Sequence, residues 1–369
     1  MIFSRLSPLL RMPFVANLSL DALLRMDAET AHRATITALR LGLAPEQDYA
    51  DPKGLQVSLC GLDLSNPIGM AAGFDKNGEV PKPLARMGFG MIEVGTVTPR
   101  PQAGNPKPRL FRIPEVGGVI NRMGFNNEGH DAVLARLKGT RVGAILGVNI
   151  GANKDSEDFV ADYVLGVERF SSLADYLTVN ISSPNTPGLR NLQAEDALAR
   201  LLEAVLKARS KAAVRVPVFL KIAPDLDEKA MDGIARTVLA TDLDGLIVSN
   251  TTISRDAVTN LTNAGEAGGL SGKPLFNLAT QRLAQMRQRV GTLPIIGVGG
   301  IDSPATALAK FEAGANAVQL YSALVFGGFD MLDRLKRGLA ASVRAAGKAN
   351  ISELSGCATD DWAAGKLSL

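Results

Sequence analysis

Histidine and cysteine are nearly missing from this 369-residue chain, which carries two of each: His32, His130, Cys60 and Cys357. Two distant cysteines without a C-x-x-C spacing cannot hold an iron–sulfur cluster or a cysteine-rich zinc site, and they read as free thiols in a reducing compartment. Two histidines leave no multi-histidine metal centre and argue against a histidine-based triad. No metal site is expected, and any general base must be a less obvious residue. Aromatics make up 5% and the net charge is only +3. With neither a stacking platform nor a basic stripe, nucleic-acid binding is not expected. The longest uncharged run, Ala313 to Phe329, is broken by glycines and falls short of the roughly 20 apolar residues of a membrane span. The N-terminus lacks a continuous h-region and an A-x-A cleavage site, so a signal peptide is not expected.

What is abundant is apolar content, at 46%, and glycine, with 37 residues gathered at the ends of apolar runs. From about Asn66 the chain alternates short apolar runs with helix-period segments. The runs are Pro67–Gly73, Met91–Thr98, Ala144–Ile150, Tyr176–Ser183, Val218–Ala223, Gly245–Thr251, Ile295–Ile301 and Ala317–Leu324. The helical segments include Glu195–Ala212, Glu228–Thr241, Gln281–Val290, Pro304–Ala313 and Met331–Ala346. Eight β-then-α units predict an α/β fold, a closed (β/α)8 TIM barrel, over a doubly wound open sheet. Leu55–Leu59 and Leu62–Leu64 flank Cys60-Gly61 and predict a hairpin plugging the barrel floor. Arg109–Ile113 and Val119–Arg122 predict a second hairpin above the mouth.

Residues 1–50 form a separate small helical domain in this reading, 51–347 the barrel, and 348–369 a tail without periodicity. Leu18–Met26 and Ala28–Leu43 read as helices, with Asp27 as an N-cap. Upstream, Ile2, Phe3, Leu6, Leu9, Leu10, Met12 and Phe14 accompany Arg5 and Arg11 with no acid. Docking to a membrane surface and packing against the barrel both suit that pattern.

A parallel barrel carries its site at the C-terminal strand ends. The run Val179-Asn180-Ile181-Ser182-Ser183-Pro184-Asn185-Thr186-Pro187-Gly188 starts as a strand, breaks at Pro184, and gathers two amides and three hydroxyls around that break. An amide offers both a donor and an acceptor, matching the alternating C=O and N–H edge of a pyrimidine; the same letters also make an ordinary turn. Other strand ends bring Ala72-Gly73-Phe74-Asp75-Lys76, Thr96, Asn149, Lys221 and Ser249-Asn250-Thr251, and the inserted hairpin brings Asn121 to Asn127. Gly268 to Gly272 and Gly297 to Gly300 supply glycine-rich backbone near helix starts, and Tyr321-Ser322 ends the eighth run; the loops after the last two strands are where this barrel grips phosphate. The spacing is not G-x-G-x-x-G, so one phosphate and a flat ring, flavin mononucleotide (FMN), is the economical ligand. Lys221 would then sit beside the ring as a fixed cation, unless it pairs with Asp225.

The segments A-A-G-F-D-K-N-G, N-R-M-G-F-N-N, N-I-S-S-P-N-T-P-G-L-R, K-I-A-P-D, S-N-T-T, G-G-L-S-G-K-P-L and G-V-G-G-I resemble the dihydroorotate dehydrogenase family. The likeness runs from about Leu18 to about Gly347. The helix pair and Ser183 resemble its quinone-dependent class 2, since the cytosolic classes carry cysteine at that position. The resemblance implies oxidation of (S)-dihydroorotate to orotate for pyrimidine biosynthesis. Ser183 would remove the C5 proton, aided by Thr186 and passing Phe125, and the C6 hydride would go to flavin N5. It implies Lys76, Asn121, Arg122, Met123, Gly124, Phe125, Asn180, Asn185, Asn250 and Thr251 as substrate contacts. It implies Ala72, Gly73, Phe74, Asp75, Lys76, Thr96, Asn149, Asn180, Lys221, Ser249, Gly272, Gly300, Tyr321 and Ser322 as FMN contacts; Ser249 stands where the family commonly has threonine. His32, Arg112 and Tyr321 would flank a ubiquinone-type quinone. Read without the family, His32 is a helix-start cap or surface residue and Arg112 a strand-edge surface cation. A monomer attached peripherally to the cytoplasmic face of the inner (cell) membrane is expected.

Two rivals follow from the same residues. One is another FMN barrel using NAD(P)H or fumarate, and the other a non-catalytic barrel that binds a phosphate ligand.

Overall fold

The structure, a computed structural model, describes residues 20–43 and 45–369. The apolar, arginine-bearing stretch expected to dock and the first two residues of the expected first helix lie outside them.

The eight expected runs form a closed parallel barrel. Its strands are β3 (Ile68–Met70), β4 (Met91–Val97), β7 (Ile145–Ile150), β8 (Tyr176–Asn180), β9 (Val218–Ile222), β10 (Gly245–Val248), β12 (Ile295–Val298) and β13 (Ala317–Leu320), with β13 pairing back onto β3. Helices over Glu195–Lys211, Glu228–Leu239, Phe276–Val290, Pro304–Glu312 and Met331–Ala345 bury their apolar faces around it. The helix expected from Gln281 begins five residues earlier, at Phe276.

Beneath the barrel, β1 (Val57–Leu59) and β2 (Leu62–Leu64) pair antiparallel. Cys60 and Gly61 between them have φ of 53° and 80°, the two left-handed residues of a type I′ turn, whose twist suits a two-residue hairpin. Leu59 and Leu64 point upward into a floor of Met91, Tyr176, Phe219, Ile247, Ile296 and Ala317. Because strand side chains alternate with period two, the next inward residues after Met91, Tyr176, Phe219 and Ala317 are Glu93, Thr178, Lys221 and Gln319. All four are buried. The interior thus changes from apolar at the floor to polar halfway up, and this polar layer supports the mouth.

Above the mouth, β5 (Leu110–Ile113) and β6 (Gly118–Asn121) form the expected hairpin, extended by a strand that the sequence reading treated as a phosphate loop, β11 (Gly269–Gly272). A Cβ on Gly269 would overlap Thr251 Oγ1, and one on Gly272 would overlap Gly117 O. These glycines let a third strand lie closely over the mouth.

Helix α1 spans residues 20–25 and α2 spans Ala28–Arg40. Asp27 caps α2 by accepting from Thr30 N–H at 2.9 Å. Arg109 Nε and Nη2 donate to the two carboxylate oxygens of Glu29 at 3.1 and 2.7 Å, which fastens α2 to the hairpin. The tail also packs on the barrel: residues Thr359–Ala363 form a short helix that sets Trp362 edge-on to Phe276, 5.9 Å between centroids.

Candidate active site

The site grows out of the polar layer. Buried Glu93 accepts from Tyr176 Oη at 3.0 Å, Thr178 Oγ1 at 3.1 Å, Gln319 Nε2 at 2.9 Å and Asn149 Nδ2 at 2.7 Å. A carboxylate only accepts, so Asn149 must turn its amide nitrogen inward and its oxygen toward the mouth. That oxygen accepts from Thr96 Oγ1 at 2.5 Å and Asn180 Nδ2 at 3.2 Å. Asn180 Oδ1 in turn accepts from Ser182 Oγ at 2.8 Å, and Ser182 Oγ accepts from Asn250 Nδ2 at 2.9 Å. One buried acid therefore sets the polarity of a chain of amides that ends at the cavity wall.

Lys221 lies beside this chain, buried and without a hydrogen bond among the described residues. Burial lowers its pKa, and the Glu93 charge partly offsets that. It does not pair with Asp225, which is taken by Arg190 at 2.9 Å and by Thr252 Oγ1. Arg190 also donates to Ser182 O at 3.0 Å and Thr251 O at 3.2 Å, locking the loop after β8 to the loop after β10. Within the first of these loops Ser183 Oγ accepts from Asn185 N–H at 3.2 Å. Asn185 Nδ2 donates to Asn121 O at 3.2 Å, which ties the loop to the hairpin overhead. Thr186 Oγ1 is buried without a hydrogen-bond partner.

On the other side of the mouth, Gly299 and Gly300 have φ of 107° and 78°. A Cβ on Gly300 would lie 2.7 Å from Phe276 N and overlap Phe276 Cα and Cβ. The loop after β12 is thereby pressed against the first residue of the Phe276–Val290 helix. Ser271 and Ser322 share a hydrogen bond of 2.8 Å across the same edge.

These walls enclose one cavity of about 880 Å³ that continues past the mouth between α1, α2 and residues 326–331. Its far arm is apolar, lined by Leu20, Leu23, Leu24, Leu39, Phe326 and Phe329 among others. Between mouth and arm stand Lys76, His32, Phe74 and Tyr321. Lys76 Nζ lies 3.4 Å from His32 Nε2 and donates to Gly73 O at 2.5 Å; His32 Nδ1 lies 3.3 Å from Tyr321 Oη. Burial brings the Lys76 ammonium down to about 8. Burial, with the charges of Lys76 and Arg33, pushes His32 well below its usual value and keeps it neutral. Arg112 is not a surface cation: it donates to Leu24 O at 3.1 Å, Met26 O at 2.8 Å and Leu23 O at 3.3 Å, capping the C-terminal end of α1.

Most of the residues singled out from the sequence meet at this cavity: Ser183, Asn121, Met123, Gly124, Phe125, Asn180, Asn185, Asn250, Thr251, Ala72, Gly73, Phe74, Lys76, Thr96, Lys221, Ser249, Gly272, Gly300, Tyr321, Ser322, His32 and Arg112 line it. Four do not. Asn149 stands behind Thr96, and Thr186 is buried within its loop. Asp75 accepts from the Glu79 and Val80 amides at 2.8 Å. Arg122 turns to Glu266 at 2.6 Å and lies over the Phe111 ring. Glu93, Gln319, Arg190 and the Glu29–Arg109 pair went unnoticed. The one local signal among them was the lone acid in Met91-Ile92-Glu93-Val94.

A profile of the dihydroorotate dehydrogenase family matches residues 54–343. A dihydroorotate dehydrogenase (quinone) of Allorhizobium ampelinum is 57% identical over 348 residues, covering 92% of this chain and 96% of its own. That of Brucella melitensis biotype 2 is 55% identical over 353 residues, covering 94% and 96%. Among solved structures, DHODH of Eimeria tenella in complex with ferulenol superposes with a TM-score of 0.87 at 39% identity, covering 89% of this chain and 95% of that one.

Proposed function

This chain belongs to the dihydroorotate dehydrogenase family, and from that premise we propose that it oxidises (S)-dihydroorotate to orotate in pyrimidine biosynthesis and passes the electrons to a membrane quinone. The observation that carries the quinone part is the continuity of the cavity, polar at the barrel mouth and apolar between α1 and α2. The family is flavin-dependent, and the residues present fit FMN. A loop where a Cβ would strike Phe276 leaves room for phosphate only against backbone. The Thr96 hydroxyl and the Asn180 amide, oriented from behind by Asn149, suit a ring edge, and Lys221 is a buried cation with no hydrogen bond of its own among the described residues. Bound there, the flavin supplies a two-electron acceptor for the substrate hydride.

The chain's own residues do the rest. Asn121, Asn185 and Asn250 present amides to the ring edge of the substrate, and Lys76 offers a cation to its carboxylate. Met123, Gly124, Phe125 and Thr251 close over it. Ser183 Oγ takes the C5 proton. Its lone pair is steadied by the Asn185 amide, and neither histidine nor carboxylate is bonded to it among the described residues. A serine is a weak base at neutral pH and must pass its proton onward; the family resemblance gives that relay to Thr186, whose hydroxyl is buried without a hydrogen-bond partner and would release its own proton as it took one up. His32, Arg112 and Tyr321 stand where the quinone head would sit.

No helix among the described residues is long and apolar enough to cross a membrane. Peripheral attachment of a monomer through the N-terminal helices, at the cytoplasmic face of the inner membrane, completes the proposal. The test is the choice of acceptor. Protein reduced by dihydroorotate should be reoxidised rapidly by a ubiquinone analogue and slowly by fumarate or NAD. The reverse order would transfer the chain to the rival FMN-barrel chemistry.

A further inference from the structure

His32 reaches both Lys76 at the barrel mouth and Tyr321 at the end of β13. Its Nε2 faces Lys76 Nζ at 3.4 Å and its Nδ1 faces Tyr321 Oη at 3.3 Å. The ring is packed edge-on to Phe74, 5.5 Å between centroids, and Phe74 is edge-on to Tyr321 at 5.6 Å, so its orientation is held from both sides. An ammonium has donors only, a neutral imidazole has one donor and one acceptor, and a phenol can do both. With both contacts made as hydrogen bonds, those three inventories allow one arrangement. Lys76 donates to Nε2, the single ring proton is on Nδ1 and goes to Tyr321 Oη, and the phenolic proton is left free.

We propose that Lys76 fixes the tautomer of His32 and, through it, turns the O–H of Tyr321 into the apolar arm as a hydrogen-bond donor to a quinone carbonyl. This rests on the functional reading above and deepens it: a residue of the substrate compartment sets the donor pattern of the quinone compartment. Two further observations fit. Tyr321 Oη makes no other hydrogen bond, so its proton has no competing acceptor among the described residues. The buried Arg112 Nε also lacks a partner. The arm thus offers unsatisfied donors and no unsatisfied acceptor from these two side chains, which selects a carbonyl oxygen over a hydroxyl. If Lys76 became a neutral amine, it could accept from Nε2–H. The ring would take the other tautomer, Tyr321 would donate to Nδ1, and the arm would lose that donor. A substrate carboxylate holding Lys76 charged therefore favours quinone capture, so Lys76 and His32 are positioning residues for the second half of the reaction.

Two histidines make the tautomer measurable. Long-range 1H–15N spectra of flavin-loaded protein labelled at histidine nitrogen contain only His32 and His130, and His32→Phe assigns them. For the wild type we expect His32 to be neutral at pH 7, with the proton on Nδ1; a proton on Nε2 would overturn the proposal. In Lys76→Met the Nδ1 preference should be lost, and its persistence would also overturn it. If Lys76→Met does not fold, the wild-type spectrum still decides. As a second readout, Tyr321→Phe and His32→Phe should each raise KM for a short-chain ubiquinone about tenfold, and the double variant no more than either alone, because both remove one donor. Additive losses would mean the two residues act separately. The spectra need no substrate, so failure of the tautomer and failure of the dihydroorotate chemistry are distinct results.

Discussion

Removing Glu29 should separate the two halves of the reaction. The Glu29–Arg109 pair is bidentate, with side chains only 11% and 8% exposed, and it joins α2 to the hairpin over the mouth. Breaking a buried pair from one side costs about 3–5 kcal/mol, because the remaining charge is left uncompensated. In Glu29→Ala the loss should fall near the lower end, about 3 kcal/mol, since Arg109 keeps the carbonyls of Ala103 and Asn105 at 2.6 and 2.8 Å. Spent on local opening of α2 alone, that corresponds to about a 100-fold rise in the open population. Hydrogen exchange read by mass spectrometry should show amides 31–40 losing protection by about that factor while the barrel strands do not change. Stopped-flow kinetics should show quinone reoxidation impaired far more than flavin reduction by dihydroorotate. Equal losses in both half-reactions, or unaltered exchange in α2, would refute the assignment of this pair as the anchor. The sign with pH follows. Burial raises the Glu29 carboxyl, but the hydrogen bond and charge of Arg109 outweigh that and leave it below its reference of 4.5. The anchor is therefore at full strength above that reference and is lost as pH falls through the lower, folded value.

Ser183→Ala should slow flavin reduction by about 10²–10⁴-fold, the usual contribution of a positioned base, while a difference-spectrum titration still shows orotate binding; undiminished reduction would remove Ser183 from that role. Gly300→Ala adds about 1–2 kcal/mol of left-handed strain to an overlap with Phe276, so purified protein should contain much less flavin by absorbance, and full occupancy would show that the loop does not grip phosphate. Deleting residues 1–43 should impair quinone turnover more than flavin reduction, measured as the two separate half-reactions. A parallel loss would make the helix pair a structural cap.

The barrel was legible because each strand is an apolar run buried on both faces and bounded by polar or glycine-rich loops, a local signal. The runs were read too long at their functional ends. The chain leaves the ladder after Asn180, where the side chains of Asn180 and Ser182 bond one another, a contact no hydropathy pattern records. Strand β11 was hidden for a different reason. Its glycines are poor strand formers, and its partner β6 lies about 150 positions earlier, so the pairing is visible only in three dimensions. The tail shows no periodicity because it packs through a few scattered residues, Ile351, Leu354, Trp362 and Ala363, on two short helical turns, although its capping box at Asn350 and Glu353 was readable. At the site, motif positions located the cavity wall well. Orientation was not legible: Arg122 belongs to a substrate-like motif yet turns away to Glu266. Glu93 and the Glu29–Arg109 pair act on partners far away in sequence, and the polarity they impose on Asn149 and α2 is a tertiary property.

The most direct test is anaerobic mixing of the purified, flavin-loaded protein with dihydroorotate. The account predicts rapid bleaching of the flavin absorbance near its visible maximum, with orotate formed in equal amount, and colour restored on adding a ubiquinone analogue. Protein that holds flavin but keeps its colour with dihydroorotate, or that binds no flavin after reconstitution, would contradict it.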